Sequence, residues 1–132
     1  MDFVSIRVIT DDVARLSGFY EKATGVQATR YTEDFAELKT AHATLAIGST
    51  RTVPLFAPGA ARPASNSTVI IEFLVDDVDG VHQNLAGFVE DFVQEPTTMP
   101  WGNRSLLFRD PDGNLVNFFT PVTQSAIDKF VP

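Results

Sequence analysis

The chain has 132 residues, 44% of them apolar and eleven of them Phe, with no cysteine and a formal net charge of −7. That is enough for one ordinary domain with a packed core, and it excludes disulfides, thiolate metal sites and cysteine nucleophiles. The acidity argues against a nucleic-acid partner, whose phosphates require clustered Lys and Arg, and no apolar run is long enough to suggest a membrane span.

The chain opens with "MDFVSIRVITDD", which lacks the basic head and apolar stretch of a secretory signal, so a cytoplasmic location is expected. "IRVITDDV" at 6–13 reads as a strand that ends on two aspartates. Next, "DVARLSGFYEKATG" sets Val13, Leu16, Phe19 and Tyr20 at helical spacing, with Asp12 as N-cap and Gly25 as the stop. Three candidate strands follow, "VQATRYTE", "FAELKT" and "ATLAIGS". The stretch from about residue 51 to 66 is rich in Pro, Ala and Ser and reads as a linker.

The pattern then repeats. "IEFLVDDV" at 71–78 matches "IRVITDDV" at an offset of 65 residues. "DVDGVHQNLAGFVE" is the second helix, with Asp77 as N-cap and Gly87 as the stop. The strands "DFVQE", "RSLLFR" and "NLVNFFT" complete the second unit, and "TQSAIDKF" can form a short closing helix. The expected organisation is a single domain over 1–132. Its first module spans about 1–50 and its second about 67–122, followed by a C-terminal tail at 123–132.

A duplicated strand–helix–three-strand unit of this size, with "DPDGN" before the last strand, resembles the vicinal oxygen chelate superfamily. That group includes the glyoxalases, the extradiol dioxygenases, the fosfomycin resistance enzymes and the bleomycin resistance proteins. The resemblance covers nearly the whole chain. Its most specific part is "VDDVDGVHQNL…FVQEPTTMPWGNRSLLFRDPDGNLVNFF", and the first half rests on "DDVARLSGFYEKATGV". It implies an α+β fold in which two tandem βαβββ modules form a curved, cleft-enclosing mixed sheet with helices outside.

In the metal enzymes of that group, the first and last strands of each module supply His, Gln or Glu to a divalent ion. The matching positions here are Ser5, Ala46, Ile70 and Asn117, with Thr44 an alternative to Ala46 because the first hairpin is shorter. These do not make a transition-metal site, so no cofactor is expected. His42 and His82 read as a turn residue and a half-exposed helix residue. A metal would require a shifted register that brings in Glu72 and perhaps Glu37 or His42. Such a slip would turn Ile71 and Phe73 into the cleft.

Strand alternation sends Arg7, Glu72 and Asn117 toward the cleft. Arg7 and Glu72 are equivalent under the repeat. They can pair with each other, hold polar groups of a ligand, or act as stabiliser and general base. Phe119 faces the same way. Trp101 in "TTMPWGNR" either stacks on a planar ligand, with Asn103 and Arg104 adding polar contacts, or plugs the end of the sheet. Tyr20 reads as core, and Asp110 and Asp112 of "DPDG" as turn-makers.

The leading expectation is a metal-independent protein that binds a small molecule, an antibiotic or another planar aromatic compound, as the bleomycin resistance proteins do. An enzyme of the superfamily is the alternative: a metal-free lyase or isomerase using Glu72, or a divalent-metal-dependent lyase or dioxygenase. A module whose surface serves only to dimerise is a third. A homodimer is expected in every case, since sheet edges and apolar surface invite a second copy.

Overall fold

The computed structural model describes residues 1–131. The chain divides into two compact units, one over Met1–Asn66 and the other from Ser67 onward. The first contains β1 (Ser5–Thr10), α1 (Val13–Thr24), β2 (Thr29–Thr32), β3 (Phe35–Lys39), β4 (Thr44–Ser49) and a short α2 (Val53–Phe56). The second contains β5 (Ile70–Leu74), α3 (Val78–Leu85), β6 (Phe92–Thr98), β7 (Asn103–Arg109), β8 (Leu115–Pro121) and α4 (Gln124–Phe130). Each holds a four-stranded mixed sheet, ordered β1-β4-β3-β2 and β5-β8-β7-β6, with the first strand parallel to the last. The expected pair of βαβββ modules is therefore present.

The two units begin in the same way for the same reason. At each strand-to-helix corner an aspartate stands in the extended region just before the helix, with φ/ψ of −142°/91° at Asp12 and −144°/91° at Asp77. Its carboxylate accepts an orphan amide of the first turn, from Arg15 N at 3.0 Å and from Gly80 N at 3.2 Å. The first helix ends on Gly25 at φ 73°, in the left-handed region, whose N–H donates to Glu21 O at 2.9 Å.

In the first unit, Val13, Leu16 and Tyr20 lie along one stripe of α1 and are buried on Ala36, Leu38, Leu45 and Ile47 of β3 and β4. In the second, α3 covers a core dominated by rings. Phe108 and Phe118 meet edge to face at 5.0 Å between centroids, Phe73 joins Phe118 at 5.3 Å, and the His82 ring sets its edge against Phe92 at 5.0 Å. Such pairs contribute about 0.5–1.5 kcal/mol each beyond the area they bury.

Part of the expected linker is folded. Ser49 Oγ accepts from Arg51 N at 3.2 Å, and Thr52 Oγ1 donates to Ser49 O at 2.7 Å, which winds residues 50–52 into a 3-10 turn. The turn continues into α2, where Pro54 falls in the first turn and loses no hydrogen bond, and Val53 is buried. The Pro-rich composition thus marks a helix start here. The closing helix α4 is present, capped by Thr123 and seated through Phe130, whose ring packs on Phe119 at 4.9 Å.

Candidate functional site

Each sheet has one face under its helix and one facing away from it. The registers decide which side chains share the second face. In the second unit Glu72 stands directly beside Asn117 on the parallel β5–β8 pair, and Leu107 of β7 stands beside Asn117 on the other side. In the first unit the corresponding neighbours are Arg7 and Ala46. Ala46 is thus the first unit's counterpart of Asn117, and Ser5 lies beside Thr44 as Ile70 lies beside Leu115.

Asn117 is 91% buried, and its Nδ2 donates to Glu72 Oε2 at 2.8 Å. The carboxylate fixes which way the amide faces, because only the nitrogen end can donate to it. Asn117 Oδ1 therefore points the other way, buried and without a hydrogen-bond partner among the described residues. Asn103 Oδ1, on the same face at the start of β7, is in the same condition. A buried carbonyl left unpaired costs about 1–3 kcal/mol, so two on one face are unusual for a four-stranded sheet. Glu72 itself is exposed.

On the first unit's corresponding face the Arg7 guanidinium lies over the rings of Phe35 at 4.6 Å and Phe56 at 5.4 Å. Gly48 lies beside the guanidinium: a Cβ there would make an ordinary contact with Arg7 Nη1 at 3.5 Å and a tight one with Thr52 Oγ1 at 3.1 Å. Tyr31 stacks on Phe35 at 5.7 Å, and Lys39 Nζ sits 5.6 Å from the Tyr31 ring and 3.7 Å from Glu37. Tyr31 first, and Glu37 after it, hold the Lys39 ammonium above its ordinary pKa. Each of the two central charges thus has company inside its own unit, Arg7 among rings and Glu72 with an amide.

The other sequence-predicted residues fall in different places. Arg104 projects to the helix-bearing face, where its Nε and Nη2 grip both oxygens of Asp79 on α3 at 2.8 and 2.9 Å and hold that carboxyl below its usual range. Because β7 starts at Asn103, alternation sends Asn103 and Arg104 to opposite faces. Trp101 is 65% exposed, on a turn closed by Met99 N to Asn103 O at 2.7 Å, so most of its ring is in solvent. Phe119 is buried against Phe130. Asp110 is a turn-maker, accepting from Asp112 N and Asn114 N at 2.9 and 3.0 Å.

Chelation does not suit the residues at the four family positions. Ala46 and Ile70 carry no donor atom, Ser5 offers a hydroxyl, and Asn117 has its nitrogen committed to Glu72. Among the described residues no group of three or more His, Asp or Glu gathers in a way that could hold a metal ion. His42 lies exposed in the turn before β4. The aromatic partners of Arg7 went unrecognised in the sequence. Phe35 shares strand parity with Glu37 and was within reach of that argument, whereas Phe56 sits in the stretch read as linker.

The family model described as Glyoxalase/Bleomycin resistance protein/Dioxygenase superfamily matches residues 2–118. A glyoxalase/bleomycin resistance protein/dioxygenase from Nocardioides is 20% identical, with 94% of this chain and 85% of that one covered and a TM-score of 0.75. A family enzyme of the same description from Burkholderia phytofirmans PsJN is 19% identical, covering 92% and 100%, with a TM-score of 0.79. A protein of unknown function from Agrobacterium tumefaciens str. C58 is 23% identical, covering 92% and 95%, also at 0.79. Identities this low establish the common fold. No curated protein matches the chain. No helix among the described residues is long and apolar enough to cross a membrane.

Proposed function

Because the chain belongs to the glyoxalase, bleomycin resistance protein and dioxygenase superfamily, we propose that it acts as a metal-independent binding protein for a planar, partly aromatic small molecule, such as an antibiotic. One observation carries this reading. Where a chelating relative would present a ligand, this chain presents an amide whose nitrogen is tied to Glu72 and whose buried oxygen has no partner among the described residues. A binding role needs shaped apolar surface and a few unsatisfied polar atoms, and no catalytic residue. Trp101, Ile70 and Leu74, between 46% and 65% exposed, supply apolar surface in the second unit.

The test has two parts. Untagged protein is assayed for bound metal, and its melting temperature is followed with zinc, nickel and manganese. It is then titrated with planar aromatic compounds, using the fluorescence of its one tryptophan. Expected are no stoichiometric metal, no chelator-reversible rise in melting temperature, and saturable quenching by at least one compound class. A tightly held metal would overturn the reading. A homodimer belongs to the same proposal, supported by the exposure of Phe3, Val4, Leu55 and Phe56. Sedimentation at micromolar concentration decides it.

A further inference from the structure

We infer that the second unit recognises a cationic, planar N–H donor group, an amidinium or guanidinium, through Glu72 and Asn117. The inference rests on the binding-protein reading above and names the chemistry of its ligand.

A buried unpaired acceptor asks for a donor. Asn117 Oδ1 is such an acceptor, held in place because Nδ2 is bound to Glu72 at 2.8 Å. The pair as a whole presents acceptors: the amide oxygen and the second carboxylate oxygen, against one remaining amide hydrogen. It also carries a full negative charge on a side chain that stays exposed. Arg109, a cation on the same face, is engaged elsewhere, with Nε 3.7 Å from Asp91 and Nη1 donating to Gly113 O at 3.1 Å.

A neutral carbonyl compound would meet like against like at these oxygens, and an anion would be repelled by Glu72. A planar cation with several N–H groups satisfies both acceptors and neutralises the charge, and charge-assisted bonds of that kind are about twice as strong as neutral ones. A water molecule can also donate to Asn117 Oδ1, but it leaves the charge of Glu72 uncompensated. The apolar neighbours on this face, Leu107 beside Asn117 on β7 and Leu115 two residues before it on β8, suit the faces of a delocalised cation better than a strongly hydrated ammonium.

Benzamidine and benzamide are the probes: similar in shape, one a planar cation and the other neutral. Binding of each is measured by calorimetry, and the side-chain amide signals of 15N-labelled protein locate it. Expected is benzamidine binding about tenfold tighter than benzamide, with a shift of the Asn117 side-chain resonance, and a loss of about tenfold for benzamidine alone in Glu72→Gln. Glu72→Gln keeps an acceptor for Asn117 Nδ2, and its amide spectrum verifies the fold. Equal affinity for the two probes, or benzamidine binding that Glu72→Gln leaves unchanged, overturns the cation preference while the small-molecule reading stands. Failure of benzamidine to bind also overturns it. If the wider panel of planar compounds fails as well, both readings fall.

Discussion

Asn117 and Glu72 are direct neighbours on two parallel strands, joined by a 2.8 Å hydrogen bond from amide to carboxylate, and the same two positions in the first unit are occupied by Ala46 and Arg7. A duplicated scaffold therefore carries an acceptor-rich pair on one sheet and a cation laid over Phe35 and Phe56 on the other. Nothing in the backbone of either sheet requires this difference; it lies wholly in the side chains.

If these are metal-ligand positions whose donors are missing, restoring donors should restore metal binding. Ile70 and Asn117 lie on adjacent strands two residues out of register, on the same face. In the double variant Ile70→His with Asn117→Glu, the new carboxylate also stands directly opposite Glu72. Without metal the two like charges lower stability. With zinc or nickel at about a hundred times the dissociation constant, stability rises by about 2.7 kcal/mol, visible as a melting shift that a chelator removes. Wild-type protein should show no shift. A double variant equally indifferent to metal would mean that these two positions are not ligand positions at all.

The duplicated corners make a sharper test of local structure. Asp12→Ala and Asp77→Ala each remove the acceptor for a first-turn amide, and each should cost about 1 kcal/mol in urea unfolding. Their sequence neighbours Asp11 and Asp76 cap nothing, and their replacement by Ala should stay within about 0.5 kcal/mol. Equal effects within each Asp-Asp pair would remove capping as the reason for the motif.

Those corners were legible in the sequence because their cause is local: an aspartate and an apolar stripe lie within one short segment. The expected glycine stop holds for Gly25 on α1, whereas α3 is capped by Ala86 in the right-handed region and Gly87 follows it. The assignment of Ile71 and Phe73 to the helix side was legible for the same reason, since alternation needs only the strand's start. The Arg104 side chain was placed beside Trp101 by sequence proximity alone, but β7 begins at Asn103 and parity turns Arg104 toward Asp79. Phe56 was hidden more deeply. Its Pro-rich surroundings carry the composition of a linker, and only the Ser49 and Thr52 hydroxyls, which wind the chain into a turn there, bring it to Arg7. The orphaned oxygen of Asn117 is beyond sequence reasoning, because it depends on which end of the amide Glu72 selects.

Acid should weaken this fold through three carboxylates. Glu21 is held below its ordinary 4.5 by the Ala28 amide and then by Arg30, and Asp34 below 3.8 by the Ser49 hydroxyl and then by Arg51. Asp79 is held below 3.8 by Arg104. A carboxyl whose folded pKa is depressed contributes stability that is fully present above its unfolded value. That contribution is lost as pH falls through the folded value. The urea midpoint should thus be flat near neutrality and fall below about pH 4.5, the ordinary value for Glu21. Arg104→Met should flatten the part of that fall that belongs to Asp79. Asp79 is exposed and Glu21 and Asp34 are partly so, with side chains 21% and 38% exposed, so about 0.5 M salt should reduce the effect. A midpoint that does not move between neutrality and about pH 3 would show that these pairs add nothing to stability.

Gly102 ties Trp101's turn to α4, and a single methyl group there should break the tie. Its φ is +94°, in the region that side chains avoid, and its N–H donates to Met99 O at 2.9 Å. Its own carbonyl accepts from Val122 N at 2.8 Å and from Thr123 N at 3.2 Å, just where Thr123 caps α4. An added Cβ would run into the Thr123 hydroxyl and stand 3.1 Å from Ala126 Cβ. Strain and overlap together should make Gly102→Ala cost about 2–4 kcal/mol. Because Trp101 is the adjacent residue, the variant should also change tryptophan emission in the folded protein. The amide signals of α4 should broaden or shift with it, including Phe130 where it covers Phe119. A Gly102→Ala protein as stable as wild type, with unchanged emission, would mean that the turn relaxes freely and that α4 does not depend on it.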